Sequence, residues 1–218
     1  MIDTYFSSLP REAKTYEVCL KAVRENAMLL PYVPTDHLDA RLCQEAVREH
    51  GWALEYIPSH MVNGELCMIA VRKDGISLYC VPAQLRSHEL CLEAVRKDGI
   101  ALRFVPEALR DREMCMTAVH HDGRSLEFVP EEARDNELCR TAVRQDGISL
   151  RFVPAWQRDH DMCMAAAKVN GLSLEYVPER QRDRDVCLAA VRQNPHAFRY
   201  VPKAVRNGAR GSEEFAAA

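Results

Sequence analysis

Nine cysteines are the residues of this sequence with the most evident capacity for chemistry, because a thiol can form a disulfide, bind a metal or act as a nucleophile. Eight of them recur at a constant interval of 24 residues: Cys19, Cys43, Cys67, Cys91, Cys115, Cys139, Cys163 and Cys187. No Cys-x-x-Cys motif or paired histidine accompanies them, as a tetrahedral zinc site would need. Repeats packed about 8 to 10 Å apart also hold Cα atoms beyond the roughly 7 Å limit of a disulfide. We therefore predict buried, reduced thiols, which fits a reducing, cytoplasmic compartment.

The eight histidines form no pattern typical of a metal or catalytic site. Neither His-x-x-x-His nor His-Glu-x-x-His occurs, and the adjacent His120 and His121 point about 100° apart on a helix. Phosphate-binding loops, dinucleotide fingerprints and nucleophile elbows are also missing from the sequence. Repetition itself argues against a unique catalytic centre. The sequence therefore predicts a protein that is not an enzyme and that carries no metal or cofactor.

Composition and charge exclude several classes of protein. The 218 residues are 47% hydrophobic and 28% charged, a mixture typical of a folded domain and not of a disordered tail. The net charge of -3 provides no overall positive field for holding a polyanion. No segment approaches the roughly 20 apolar residues of a membrane span, and residues 1–5 lack the basic and apolar regions of a signal peptide. We expect a cytoplasmic protein that does not bind membranes.

Proline follows the same period as cysteine, so nearly the whole sequence consists of tandem repeats. The prolines in register are Pro10, Pro34, Pro58, Pro82, Pro106, Pro130, Pro154, Pro178 and Pro202. Stacked repeats of this kind form a solenoid, in which each repeat contacts mainly its neighbours. We predict one domain over residues 1–207 with about eight repeats, in which residues 1–8 form an N-terminal cap. Residues 208–218 match nothing in the repeat and are expected to be a linker or a vector-derived tail.

Each repeat begins with a pattern typical of an α-helix. A column of short polar residues supplies candidate N-caps: Thr15, Asp39, Asn63, Ser87, Asp111, Asp135, Asp159, Asp183 and Asn207. In the repeat that starts at Asp111, one helical face is apolar and contains Met114, Cys115, Ala118 and Val119. This pattern predicts a helix from about Arg112 to Asp122, ended by Gly123 in the left-handed conformation that glycine tolerates.

The second half of the repeat, residues 124–130, is compatible with two structures. Its alternating apolar residues favour a strand, and 24 residues lies within the range of leucine-rich repeats. The leucine pattern of those repeats is missing, however, and a column of small residues suits close helix packing: Ala53, Ser77, Ala101, Ser125, Ser149, Ser173 and Ala197. We therefore predict a short second helix and an all-α solenoid of helix, tight turn and short helix. Pro130 then either bends the chain away or opens a one-turn helix through Glu131–Arg134.

A resemblance to a known family is carried by five short pieces of sequence: Leu174–Tyr176, Arg182–Asp183, Val186, Ala189–Val191 and Gln193–Asn194. They resemble an uncharacterised tandem helical repeat family, catalogued only as a domain of unknown function, which forms arrays in bacterial and protist proteins with half-units of about 24 residues. The resemblance spans almost the whole chain and departs from the family at Val177–Pro178 and in the cysteine column. It implies an all-helical solenoid and brings no catalytic residues. A weaker likeness, carried by Asn194–Pro195, is to helical variants of leucine-rich repeats.

Two columns of basic residues have the regular spacing of a phosphate-binding stripe. The first contains Arg24, Arg48, Arg72, Arg96, His120, Arg144, Lys168 and Arg192, and the second contains Arg86, Arg110, Arg134, Arg158, Arg182 and Arg206. The candidates for binding a polyanion are Arg72, Arg96, Arg144 and Arg192. The alternative, which the slightly negative net charge favours, is that the arginines bind the C-terminal carbonyls of the first helix of each repeat. They would also pair with the acidic column of Asp74, Asp98, Asp122 and Asp146.

An aromatic column follows the leucine column by two residues: Tyr32, Tyr56, Phe104, Phe128, Phe152, Tyr176 and Tyr200. A platform for stacking nucleobases is one interpretation of it. Because it accompanies the leucines, we instead predict that these rings lie in the core. Cys80 occupies the same column and is expected in a cramped core position.

Residues that differ from repeat to repeat are the best candidates for binding, because packing does not dictate them. Trp156 stands in a polar turn, where a large ring has no evident core role and aromatic residues dominate interface energetics. A ring folded over the turn of the next repeat is the alternative. Tyr79, which interrupts a ladder of arginine and glutamate, is the second candidate. Further candidates at variable positions are His88, His160 and Arg180. Trp52 replaces an isoleucine, so we expect it in the core.

Taken together, these patterns favour a non-enzymatic scaffold that binds a partner protein or peptide through its variable columns. Binding of nucleic acid or another polyanion through the arginine ladders is one alternative. A structural spacer or oligomerisation module within a larger protein is another. The oligomeric state stays open.

Overall fold

The structure is a computed structural model that describes residues 2–207. Within them lie ten α-helices: α1 (Ile2–Ser8), α2 (Tyr16–Glu25), α3 (Ala40–Glu49), α4 (Gly64–Lys73), α5 (His88–Lys97), α6 (Arg112–His121), α7 (Asn136–Gln145), α8 (His160–Val169), α9 (Arg184–Gln193) and α10 (Lys203–Arg206). No β-strand occurs in this part of the chain. The all-α prediction is confirmed, and the helix expected from about Arg112 to Asp122 is α6.

The predicted short second helix is present in each repeat, and it is a 3-10 helix. Six-residue 3-10 helices follow α2 to α9: Ala27–Tyr32, Gly51–Tyr56, Gly75–Cys80, Gly99–Phe104, Gly123–Phe128, Gly147–Phe152, Gly171–Tyr176 and Pro195–Tyr200. A three-residue 3-10 turn then precedes the next α-helix: Arg11–Ala13, Thr35–His37, Ser59–Met61, Ala83–Leu85, Glu107–Leu109, Glu131–Ala133, Ala155–Gln157 and Glu179–Gln181. The chain after Pro130 therefore follows the one-turn-helix alternative.

Side-chain caps explain where most of the α-helices begin. Asp135 accepts a hydrogen bond from the amide of Leu138 at 2.9 Å, which satisfies a donor that the helix itself leaves unpaired. The same bond occurs at six further members of the column: Asp39, Asn63, Ser87, Asp111, Asp159 and Asp183. Thr15 precedes α2 without such a bond, and Asn207 follows α10 instead of starting a helix. The N-cap prediction is thus confirmed at seven of nine positions.

A single residue both ends each of the helices α2 to α9 and starts the 3-10 helix after it, and this residue is Asp or Asn at every such junction except His50. Asp146 is extended (φ -143°, ψ 115°), its amide bonds to Ala142, and its side chain accepts from the amide of Ile148 at 3.0 Å. No glycine among the described residues has a positive φ, so the prediction of a left-handed glycine at Gly123 and its equivalents is wrong. The glycine is instead the first residue of the 3-10 helix, and the close approach of the next repeat excludes a side chain there.

Most of the core consists of leucine, cysteine, alanine and valine from the α-helices, leucine from the six-residue 3-10 helices and the valine that follows most of these 3-10 helices. The eight cysteines in register are buried and free, as predicted. Burial raises the pKa of the Cys139 thiol from 9.0 to about 11, which leaves it neutral and unreactive at physiological pH. The cysteines therefore act as small apolar packing residues.

The described residues divide into two compact halves, with the boundary between Leu109 and Arg110. In the first half α2 contacts α3, α3 contacts α4 and α4 contacts α5, and in the second half α6 contacts α7, α7 contacts α8 and α8 contacts α9. Six α-helices also contact the 3-10 helices of their own repeat and of a neighbouring repeat: α3, α4, α5, α7, α8 and α9. For example, α8 contacts Gly147–Phe152 and Gly171–Tyr176. This nearest-neighbour packing of 24-residue helical repeats is an α-solenoid, as the sequence predicts.

The predicted N-terminal cap and C-terminal tail lie at the two ends of the chain. Residues 2–8 form α1, which contacts the 3-10 helix Ala27–Tyr32. The tail expected over residues 208–218 lies outside the described residues. Between residues 2 and 207, no helix combines the length and the apolar character that crossing a bilayer requires.

Candidate partner-binding surface

The second arginine column binds backbone carbonyls of two successive repeats. Arg158 donates from Nε to the carbonyl of Val153 at 2.9 Å, from Nη2 to Arg151 at 3.1 Å and from Nη1 to Tyr176 of the next repeat at 2.9 Å. Arg86, Arg134 and Arg182 make the same three contacts. Burial lowers the pKa of Arg158, whose guanidinium is held by peptide dipoles instead of an acid. This column links the repeats and is not a surface stripe.

Replacing one of these arginines is expected to destabilise the fold. Arg158→Ala removes three hydrogen bonds and leaves partly buried carbonyls unpaired, so we expect a loss of about 3 kcal/mol in the free energy of unfolding. Arg144→Ala in the exposed column is the matched control and should change it by less than about 0.5 kcal/mol. Denaturant titration of both variants is the measurement. Equal losses in the two variants would contradict the role assigned to Arg158.

The first basic column lies on the surface, where several members bind acids of the next repeat. Arg24 pairs with Glu45 at 2.9 Å, and Arg72 pairs with Glu93 at 3.1 Å. The polyanion candidates Arg96, Arg144 and Arg192 are exposed. The acidic column that was expected to pair with the arginines instead caps the 3-10 helices, as Asp146 shows. The arginines of the second column likewise bind carbonyls of the 3-10 helices and not of the α-helices.

Variable residues at the first position of the α-helices bind the N-cap of the next repeat. His160 Nε2 lies 2.8 Å from Asp183 Oδ2, and Tyr16 donates its hydroxyl to Asp39 at 2.9 Å. His160 therefore has a structural contact in addition to its exposed surface. His88 occupies the same position in α5 and is half-buried. His160 therefore belongs to the contacts between repeats, which the sequence alone did not indicate.

The aromatic column lies at the edge of the core, so the prediction of buried rings is wrong. Tyr32 is 51% exposed, and Phe152 is half-buried beneath the guanidinium of Arg151, whose Cζ lies 4.3 Å from the ring centroid. The 3-10 geometry explains this. Residues three apart share a face in a 3-10 helix, so Gly147 and Leu150 lie on the core face and Phe152 lies on a different one. Cys80 is likewise half-buried.

An aromatic cluster in the first half of the chain surrounds Tyr79. Its ring centroid lies 6.1 Å from that of Trp52 and 5.4 Å from that of Phe104, although 55% of Tyr79 stays exposed. Trp52 is half-buried rather than core, and its indole donates to Asp74 Oδ2 at 2.7 Å. Sequence reasoning identified Tyr79 and missed the cluster. The available signal was that both Trp52 and Tyr79 break the pattern of their columns.

Trp156 is the most exposed large apolar side chain in the described part of the chain, with 79% of its surface accessible. It projects from the 3-10 turn Ala155–Gln157 beside an open cleft of about 670 Å³. The cleft is lined by Glu131, Glu132, Arg134, Asp135, Asn136, Trp156 and Gln157. The exposure leaves Trp156 available to a partner, and the alternative of a ring folded over the next turn is wrong.

The structure does not bring the candidates His160 and Arg180 to this cleft, whose lining includes neither of them. No hydrogen bond, ion pair or ring contact within residues 110–207 joins Trp156 to His160 or Arg180. Arg180 is exposed at the position equivalent to Trp156 in the next repeat. The residues that do accompany Trp156 were missed, although Gln157 breaks a column otherwise made of Ala, His, Met and Leu in the preceding repeats. No group of three metal-ligating side chains occurs in the described residues.

Comparison with known proteins identifies one matching family. Its model, described as "Domain of unknown function (DUF4116)", matches residues 15–62, 63–110, 87–134, 111–157, 135–182 and 159–206, each match covering about two of the 24-residue repeats. No curated protein and no solved structure matches the chain. Because the matches cover far more than half of the sequence, the chain belongs to this family of tandem helical repeats of unknown function.

Proposed function

We propose that this helical repeat protein is a non-enzymatic scaffold that binds a partner protein or peptide at the Trp156 cleft. One observation carries the proposal: a tryptophan that is 79% exposed stands beside an open cleft on the stacked repeats. Tryptophan is enriched among the residues that dominate binding energy, because a large ring buries much surface with few rotatable bonds.

The contacts of the arginines support protein binding over polyanion binding. A guanidinium group binds a phosphate backbone only if its N–H donors are available. In the second arginine column these donors bind peptide carbonyls instead, as shown by Arg86, Arg134, Arg158 and Arg182. In the exposed column, Arg24 and Arg72 are engaged by carboxylates. The stripe available to a polyanion is therefore shorter than the sequence suggests.

The proposal is tested by affinity capture with wild-type protein and Trp156→Ala. We expect proteins that the wild type retains at high salt to bind the variant at least tenfold more weakly, since loss of a central tryptophan typically weakens binding by about 2 kcal/mol. The substitution should leave the free energy of unfolding within about 0.5 kcal/mol of the wild type, because the ring makes few contacts.

A matched control is Gln84→Ala, which changes the equivalent exposed position of an earlier repeat and should retain every partner. Equal capture by wild type and Trp156→Ala would contradict the proposal. Recovery of nucleic acid that high salt removes and that ignores Trp156 would support the arginine ladders instead.

A further inference from the structure

The charges of the Trp156 cleft favour a cationic occupant. Glu131 and Glu132 line the cleft, are exposed, and take part in none of the ion pairs within residues 110–207. Asp135 is neutralised by Arg112 at 2.5 Å. The one positive side chain of the lining, Arg134, donates to backbone carbonyls and lies partly buried. The negative carboxylates of Glu131 and Glu132 are therefore available to bind a ligand.

The indole of Trp156 favours a cation of a particular shape. An aromatic face attracts positive charge, and a planar guanidinium can stack on it while its N–H groups remain free to bind carboxylates. The same fold makes this contact with its own residues: Arg151 lies over Phe152 at 4.3 Å, and Arg199 lies over Tyr200 at 4.6 Å. The exposed ring of Trp156 and the two carboxylates therefore provide every component of such a contact except the cation.

Gln157 adds an unpaired acceptor to the lining of the cleft. Only 5% of this side chain is exposed. Its Nε2 donates to the carbonyl of Arg134 at 2.6 Å, and its Oε1 has no hydrogen-bond partner among the described residues. A buried amide oxygen without a donor is destabilising, and a ligand that supplies N–H groups relieves it. This observation is independent of the acidic residues and also indicates a donor-rich occupant.

We propose that the cleft binds an arginine side chain in an exposed segment of the partner protein, an inference that rests on the proposed function. The guanidinium stacks on Trp156 and donates to Glu131 and Glu132. Arginine meets all three requirements at once because it is planar, always charged and carries five N–H donors. Lysine carries the charge but has no planar group to stack.

The test uses a tetra-arginine peptide as the probe and a tetra-citrulline peptide as its uncharged isostere. Since the chain has two tryptophans, Trp52→Phe leaves Trp156 as the single indole reporter of fluorescence. We expect saturable quenching or a spectral shift with tetra-arginine and at least tenfold weaker binding of tetra-citrulline. Calorimetric titration of the unsubstituted protein measures the same dissociation constant and does not depend on the Trp52 variant.

Paired variants locate the site. Glu131→Gln combined with Glu132→Gln, and separately Trp156→Ala, should each weaken tetra-arginine binding at least tenfold. Glu107→Gln combined with Glu179→Gln removes the same charge at positions that correspond to Glu131 in two other repeats, and binding should stay within twofold. Equal binding of both peptides, or unchanged affinity in the Glu131/Glu132 variant, would overturn the inference.

The two proposals fail in distinguishable ways. If Trp156→Ala loses its protein partners while tetra-arginine does not bind, the scaffold proposal stands and the arginine inference is wrong. If tetra-arginine binds as expected but partner capture ignores Trp156, the cleft binds arginine and the proposed scaffold function is wrong.

Discussion

Raising the pH from 7.5 to 10 is expected to destabilise this protein by several kcal/mol. Burial raises the pKa of seven cysteines that are fully enclosed in the core from 9.0 to about 11: Cys43, Cys67, Cys91, Cys115, Cys139, Cys163 and Cys187. Because the folded pKa lies above the unfolded pKa, the stabilising contribution is complete below pH 9 and is lost as the pH rises toward 11. One pKa unit corresponds to about 1.4 kcal/mol, so each thiol contributes about 1 kcal/mol of this loss at pH 10. The sum is comparable with the whole stability of a typical domain, about 5 to 15 kcal/mol.

Denaturant titrations at pH 7.5 and pH 10 measure this effect. A variant in which Cys115, Cys139 and Cys163 are replaced by alanine is less stable at both pH values, because the side chains lose a sulfur and leave cavities. Its loss of stability between the two pH values should nevertheless be smaller than that of the wild type by about 3 kcal/mol. Tyrosine ionisation is common to both proteins and cancels in the comparison. Identical pH dependence of the two proteins would show that the cysteines are not the cause.

Gly147→Ala is expected to destabilise the protein by about 3 kcal/mol. A Cβ atom at this position would overlap the carbonyl oxygen of Ala166 and lie 3.0 Å from the amide nitrogen of Asn170. Both neighbours are backbone atoms of the next repeat, so no side-chain rotation can relieve the overlap. The two repeats must then separate, and their shared core loses its packing.

Gly64→Ala is the matched control for this prediction. Gly64 starts α4, and a Cβ atom there would have nothing within 4 Å. Alanine favours the helix more than glycine does, so stability should be unchanged or higher by up to about 1 kcal/mol. The free energy of unfolding of the two variants distinguishes a clash with the next repeat from a general effect of backbone freedom. Similar losses at Gly64 and Gly147 would mean that backbone freedom, and not the approach of the next repeat, explains the glycine column.

Much of the fold follows from the sequence because each residue type that the fold requires recurs at the same position in several repeats. The 24-residue period, the N-cap column and the apolar helical face together predict the ten-residue α-helices, since capping and amphipathicity are local properties of consecutive residues. Burial of the cysteines follows from their place on that apolar face. The neighbour-to-neighbour packing also follows, because one repeat alone cannot bury its core face.

Other features depend on the contacts between successive repeats, which the pattern of residues within one repeat does not show. The glycine column was attributed to a left-handed turn, yet its cause is the backbone of the following repeat against Gly147. The arginine column resembled a surface stripe, yet Arg158 binds carbonyls from two repeats. In both cases the residue is explained by a partner 18 or more positions away in the sequence.

The candidate site shows the same division. The sequence by itself determined that Trp156 has no role in the core, because it stands in a polar turn at a position where the repeats differ. Only the tertiary structure decided that Glu131 and Glu132 accompany it, since stacking places a turn of one repeat beside the turn that follows it in the chain. The helix type was also a tertiary result: three residues per turn in Gly147–Phe152 place Leu150 on the core face and Phe152 on a different face. Local patterns determine which elements form, and contacts between repeats decide which side chains remain exposed for a partner.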